Sequence, residues 1–262
     1  RLRQAPGIRV LEGPEVRTIF LAFDTSRDEL LYSDVKGKNP FKDLRVRRAI
    51  AYAIDKKAIV DNVYGGYAVV ADGLLPNGPF KSDKLATYPY DPEKAKALLA
   101  EAGYANGFET TISFDLNFAG INEPLCVLVQ ESLAQIGIKL TLNKIPGANW
   151  RAALLKKDMP MILNRFGGWL NYPEYFFFWC YHGQNAVFNT MSYQSKAMDT
   201  FIDGAGAAAS IGNTADYEKN VKGFVDLAFA YHNLAIDLDL IEDVTHGRHG
   251  RAIGDILVTT SE

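Results

Sequence analysis

Two alternating stretches on either side of one helical stretch leave few folds open to this chain. FETTISFDL, residues 108–116, alternates, with Phe108, Ile112, Phe114 and Leu116 prominent on one side. A helix follows from about Asn122, with Leu125, Leu128, Val129, Leu133 and Ile136 on its inner stripe, and it ends at Gly137. IKLTLNK, residues 138–144, alternates again, with Ile138, Leu140 and Leu142 on one face. A single helix between two strands is long enough for a crossover, so the strands are expected to pair in parallel through a right-handed connection. The fold class this predicts is α/β, a sheet flanked by helices.

The flanking sequence extends the pattern. VRTIFLAFD, residues 16–24, has the β-branched and aromatic content of a buried strand. Asp43 caps a predicted helix through LRVRRAIAYAIDKKAIVDNVY, in which Val46, Ala49, Ile50, Ala53, Ile54 and Ala58 share one side. Arg45, Arg47, Arg48, Lys56 and Lys57 fall mostly on the other, a solvated face. Residues 64–90 are rich in Gly, Pro and Tyr and read as a long irregular segment. A helix then opens on Asp91 as N-cap with Pro92 behind it, and closes on Gly103. ANWRAALLKK is a short helix and MPMILNR, residues 159–165, the next strand. Residues 195–210 and 217–235 read as helices, and the end of the chain begins strand-like and turns polar.

GGWLNYPEYFFFWC, residues 167–180, follows directly on that last strand. In open α/β sheets ligands bind beyond the carboxyl ends of the strands. Gly168 allows close backbone approach, and the rings offer flat area with polar handles. Trp169, Asn171 and Tyr172, nearest the strand end, are the leading candidates for ligand contact, with Glu174 close by. Phe176, Phe177 and Phe178 read as core.

Other chemistry is poorly supported. The net charge of −3, without a basic run, argues against nucleic acid, and no apolar run reaches the ~20 residues of a membrane span. Cys126 and Cys180 read as two buried thiols, with a bridge left open. GAGAAA, from Gly204 to Ala209, matches a dinucleotide loop loosely, but helix-like sequence precedes it where a strand is needed. His246 and His249 have no companion at metal-ligand spacing, and His182 and His232 stand alone. No GxSxG, HExxH or GxxxxGK[ST] is present, so no catalytic residues, metal or cofactor are assigned. The N-terminus lacks the apolar core and cleavage site of a signal peptide and reads as a connector within a longer chain.

Five stretches in order resemble one family, the extracellular solute-binding proteins of ABC importers, of the oligopeptide, dipeptide and nickel type. They are NPFKDLRVRRAIAYAIDKKAIV (39–60), YPYDPEKAKALLAEAGYANGFE (88–109), QESLAQIGIKLTL (130–142), GGWLNYPEY (167–175) and MSYQSKAMDTFID (191–203). The resemblance implies a type II periplasmic-binding-protein-like lobe, with a mixed, mostly parallel sheet flanked by helices. It implies residues 1–16 as a connector from a first lobe, 17–236 as the second ligand-binding lobe, and 237–262 as a divergent tail or partial return. It implies a periplasmic monomer that captures a peptide or other small polar organic solute for membrane permease subunits, without chemistry. Tyr193, in the MSYQS loop, joins the candidates at the cleft rim. Peptide-binding members typically carry an Asp where this chain has Asn171, and dipeptide receptors tend to carry an Arg near LNFAGINE (116–123), where this chain has none. Both departures weaken a dipeptide as the ligand. The alternatives are a carboxylate-dependent hydrolase in the same crevice and a lobe that docks a protein partner.

Overall fold

The computed structural model describes residues 8–11, 17–70, 88–167, 170, 172–190, 192–231, 238–242 and 257–260. Its centre is a five-stranded sheet. The strands are β2 (Arg17–Phe23), β3 (Glu109–Asp115), β4 (Lys139–Ile145), β5 (Met161–Gly167) and β6 (Leu238–Glu242), in the order β4-β3-β5-β2-β6. β3 pairs in parallel with β4 and with β5, as the strand–helix–strand pattern requires. β2 lies antiparallel to both of its neighbours. Four strands therefore run one way and β2 alone runs against them. A separate antiparallel pair joins β1 (Ile8–Leu11) to β7 (Leu257–Thr260).

The two faces of the sheet carry two cores, and alternation along β2 feeds both. Ile19, Leu21 and Phe23 enter one with Phe41, Ile50, Phe114, Leu125 and Leu133. Phe20 and Ala22 enter the other with Ile162, Phe166, Phe177, Ile202 and Phe224. The first is covered by α1 (Leu44–Ala53), α2 (Lys56–Asn62), α3 (Pro92–Glu101) and α4 (Ala119–Ala134). The second is covered by α5 (Gly147–Lys156), α6 (Pro173–Tyr181), α7 (Lys196–Ser210) and α8 (Thr214–Tyr231).

Several local readings hold and several change. Asp91 caps α3 by accepting from the Lys94 N–H at 2.9 Å, and Gly103 turns the chain out of the helix at φ +88°. Removing such a cap costs about 1 kcal/mol. Asp91→Ala is therefore expected to lower unfolding stability by about that amount, read as a shift in urea midpoint without a change in slope. The long helix expected after Asp43 is two helices. Asp55 interrupts it, because its side chain accepts from the Ala58 N–H at 2.9 Å and starts α2 afresh. The helix expected from about Asn122 starts at Ala119, after a 3-10 turn over Leu116–Phe118. GAGAAA lies inside α7.

Arg47 corrects the reading of a wholly solvated basic face. Its side chain is buried, and Nη1 donates to the carbonyls of Phe41 at 2.5 Å and Lys42 at 3.1 Å. Those carbonyls belong to the 3-10 turn Pro40–Lys42, which runs into α1 and needs donors at its C-terminal end. Burial lowers the guanidinium pKa to about 10. Cys126 and Cys180 are both buried, one in each core, and no disulfide joins them.

Candidate functional site

A pocket of about 300 Å³ opens at the carboxyl ends of β3 and β5. Asp115 ends β3, and Asn164, Arg165 and Gly167 close β5. Phe118 and Asn122 line it from the start of α4, Trp150, Arg151 and Leu154 from α5, and Val187 and Phe188 from the loop after α6. Arg17, at the start of β2, completes one wall.

The polar groups are held in place by the elements that deliver them. Arg165 lies with its guanidinium carbon 3.9 Å from the centre of the Phe118 ring, and its Nη2 donates to Asn122 Oδ1 at 2.6 Å. Asn122 in turn donates from Nδ2 to the Asp115 carbonyl at 2.9 Å. The planar guanidinium suits both the stacking and the directed hydrogen bond. Asp115 is itself committed, since Oδ1 accepts from the Asn117 N–H at 2.8 Å and caps the 3-10 turn. Arg17 lies close along Gly167: a Cβ there would stand 3.2 Å from Arg17 Nε. Asn164 is buried, and its Nδ2 has no hydrogen-bond partner among the described residues. An unpaired amide donor in a pocket wall is costly unless something comes to accept from it.

The sequence-derived candidates fall differently. Gly168, Trp169 and Asn171 lie outside the described residues. Tyr172 is 55% exposed and precedes α6 without a side-chain cap. Glu174 sits in the first turn of α6 and accepts from the Tyr217 hydroxyl at 2.6 Å. Burial, then the Glu174 carboxylate, drives the Tyr217 pKa upward. Tyr193 is half-buried against the second core, and Asn189 brackets its backbone with bonds of 2.8 and 2.9 Å. Tyr172, Glu174 and Tyr193 do not line the 300 Å³ pocket. The aromatic run itself is helical. Phe176 and Phe177 are buried as expected, and Phe178 is half-buried.

Sequence reasoning passed over Arg165, Asn164, Asp115, Asn122 and Trp150. One signal was available: in MILNRFG an asparagine and an arginine interrupt an apolar strand at its carboxyl end. The segment at 116–123 has no arginine of its own, yet one stands over it, delivered by β5.

The two-faced α/β lobe, with its aromatic and polar pocket beyond the strand ends, shares its fold with solved type II periplasmic binding proteins. Residues 1–188 match the bacterial extracellular solute-binding proteins, family 5 Middle, and the chain belongs to that family. It is 37% identical over 155 residues to heme-binding protein A of Haemophilus influenzae, covering 58% of this chain and 26% of that protein. It is 42% identical over 116 residues to the glutathione-binding protein GsiB of Pectobacterium atrosepticum, covering 44% of this chain and 22% of that one. The chain thus matches about a quarter of the length of these curated relatives. In fold it is similar to the periplasmic binding protein DppA of Helicobacter pylori, solved with the peptide STSA. That likeness has a TM-score of 0.74 at 22% identity and covers all of this chain and 50% of that one.

Proposed function

We propose that the chain is a ligand-binding lobe of the substrate-binding component of an ABC importer. It captures a peptide or other small polar organic solute outside the cytoplasmic membrane, in the periplasm of a two-membraned bacterium, and hands it to the permease. The observation that carries this reading is the pocket at the carboxyl ends of β3 and β5, in a chain of this family. Trp150, Phe118 and Phe188 offer flat apolar walls, and Arg165, Asn164 and Arg17 offer directed donors. A few placed polar groups among rings are the usual makings of a small-molecule site. Trp169, Asn171 and Tyr172, which follow β5 in the chain, are proposed as further ligand contacts outside this pocket's described lining. Residues 17–236, together with the strand β6 that pairs with β2, are proposed as the lobe, and 1–16 as its connector.

The test is native mass spectrometry of the full-length protein, purified without refolding, followed by a thermal-shift screen. The expected result is a bound small-molecule mass, or a solute that raises Tm, released chemically unchanged. Conversion of the solute to a product would favour the hydrolase reading. A protein that neither carries a solute nor responds to any in the screen would overturn the receptor reading.

A further inference from the structure

Among the described residues the buried asparagines are Asn39, Asn122, Asn164 and Asn189. Three of them commit the side-chain nitrogen to backbone carbonyls. Asn39 Nδ2 donates to Asp24 at 2.8 Å and Arg27 at 3.0 Å, Asn122 Nδ2 to Asp115 at 2.9 Å, and Asn189 Nδ2 to Tyr193 at 2.8 Å. Asn164 Nδ2 has no such acceptor among the described residues. Asn164 is 8% exposed and lines the pocket. Its strand places it in an apolar row. It stands opposite Phe20 in the β2–β5 register, with Ile162 and Phe166 two residues away on either side, and all three belong to the second core. Alternation sends Arg165 to the other face, against Phe118 and Asn122. An amide without an acceptor in such a row is destabilising, and a leucine would share its branched shape. A local rule broken in a pocket wall points to a partner that comes and goes.

From this we infer that Asn164 is a specificity-determining residue of the receptor site: its amide nitrogen takes a neutral oxygen of the solute, a carbonyl or a hydroxyl, against the β5 wall. The inference rests on the receptor reading above. The Cβ–Cγ torsion of an asparagine is soft, so the amide turns its nitrogen to the cavity without moving the strand. The row it stands in sets the charge of the oxygen it meets. A charged oxygen brought beside Phe20, Ile162 and Phe166 sheds its water among hydrocarbon, and one neutral amide does not offset that loss. A carbonyl or hydroxyl oxygen loses far less. A solute without the oxygen leaves the amide unmet, which is how a buried polar group rejects a near-analogue. Asn164 therefore lowers the stability of the empty lobe and raises its selectivity.

The experiment uses the full-length protein, wild type and Asn164→Leu, with Asn164→Ala as a variant that cannot crowd the wall. Without solute, Asn164→Leu is expected to raise Tm by a few degrees and Asn164→Ala to stay within about 2 °C of wild type. A fall of several degrees in both would make Asn164 a structural residue and overturn the assignment. Binding is measured by calorimetry with trialanine and its monothioamide analogues, and with glucose and its monodeoxy analogues. In wild type, loss of the matched oxygen is expected to weaken binding roughly 10-fold, and in Asn164→Leu the same loss is expected to have little effect. Coupling to a thioamide identifies a carbonyl as the partner, and coupling to a deoxy position identifies a hydroxyl. A parent probe that binds, with no analogue coupled to Asn164, would overturn the assignment alone. If neither parent binds, the solute carried through purification decides: native mass spectrometry is expected to find Asn164→Leu emptied, and equal occupancy would overturn the assignment. A protein that carries no solute and responds to none in the screen takes down the receptor reading and this inference together.

Discussion

Phe177→Ala is expected to destabilise the fold by about 3–5 kcal/mol, the range for emptying a buried phenylalanine site. The ring is fully buried. It stacks on Phe224 with ring centres 3.3 Å apart and planes 20° from parallel, which ties α6 to α8 across the second core. Tyr181 meets the same Phe224 ring edge-on at 5.6 Å, so one truncation loosens a three-ring contact. The measurement is the urea unfolding midpoint, compared with Phe178→Ala, whose ring is half-buried and whose loss should cost clearly less. Equal costs at the two positions would mean that the aromatic run is not ordered as a helix with one inner face.

Gly107→Ala is expected to be as damaging, through the backbone. Gly107 has φ +71°, and a Cβ placed there would lie 2.0 Å from the Gly137 carbonyl oxygen. Gly137 itself has φ +86°. The two glycines let the turn into β3 and the turn into β4 touch backbone to backbone. Directly beyond them the Lys139 N–H donates to the Phe108 carbonyl at 2.9 Å and begins the parallel ladder. An added methyl must push those turns apart, and backbone cannot yield as a side chain can. A loss of about 3 kcal/mol or more is expected, beyond the usual range for single substitutions. Gly103→Ala provides the control. Its φ is +88° but nothing lies within 4 Å of the added Cβ, so only the conformational strain, about 1 kcal/mol, should appear. Similar losses at both glycines would remove the close approach as the cause.

Alternation and capping made much of the fold legible before any coordinates. Ile112 and Phe114 on one side of β3, with Phe108 just ahead of it, and Leu125, Val129 and Leu133 on the inner side of α4, announced a strand–helix–strand unit through their change of period, and the crossover between the strands made it parallel. Asp91 and Gly103 marked α3 because caps are local chemistry. What escaped was long-range. Arg47 looks like any helix-surface cation until Phe41 and Lys42 present carbonyls to it. Asp55 reads equally well as a helix interior residue or as a cap, and the choice falls to the geometry after Ile54. A pocket beyond a strand end is what α/β topology leads one to look for, but the residues that line this one were not legible. Arg165 belongs to it through Phe118 and Asn122, more than forty residues earlier in the chain. Periodicity carries no information about such a meeting. The rings of α6 drew attention by composition, and two of them, Phe176 and Phe177, are fully committed to core.

The pairing of β1 with β7 has a mechanical meaning. Ile8 stands opposite Thr260 and Leu11 opposite Leu257, so two segments far apart in sequence lie side by side. Such a stem is stiff against being stretched along the strands and soft against being twisted. A load drawn across one end of such a ladder parts it one rung after another, like a zipper, whereas a load along the strands must shear all its rungs at once.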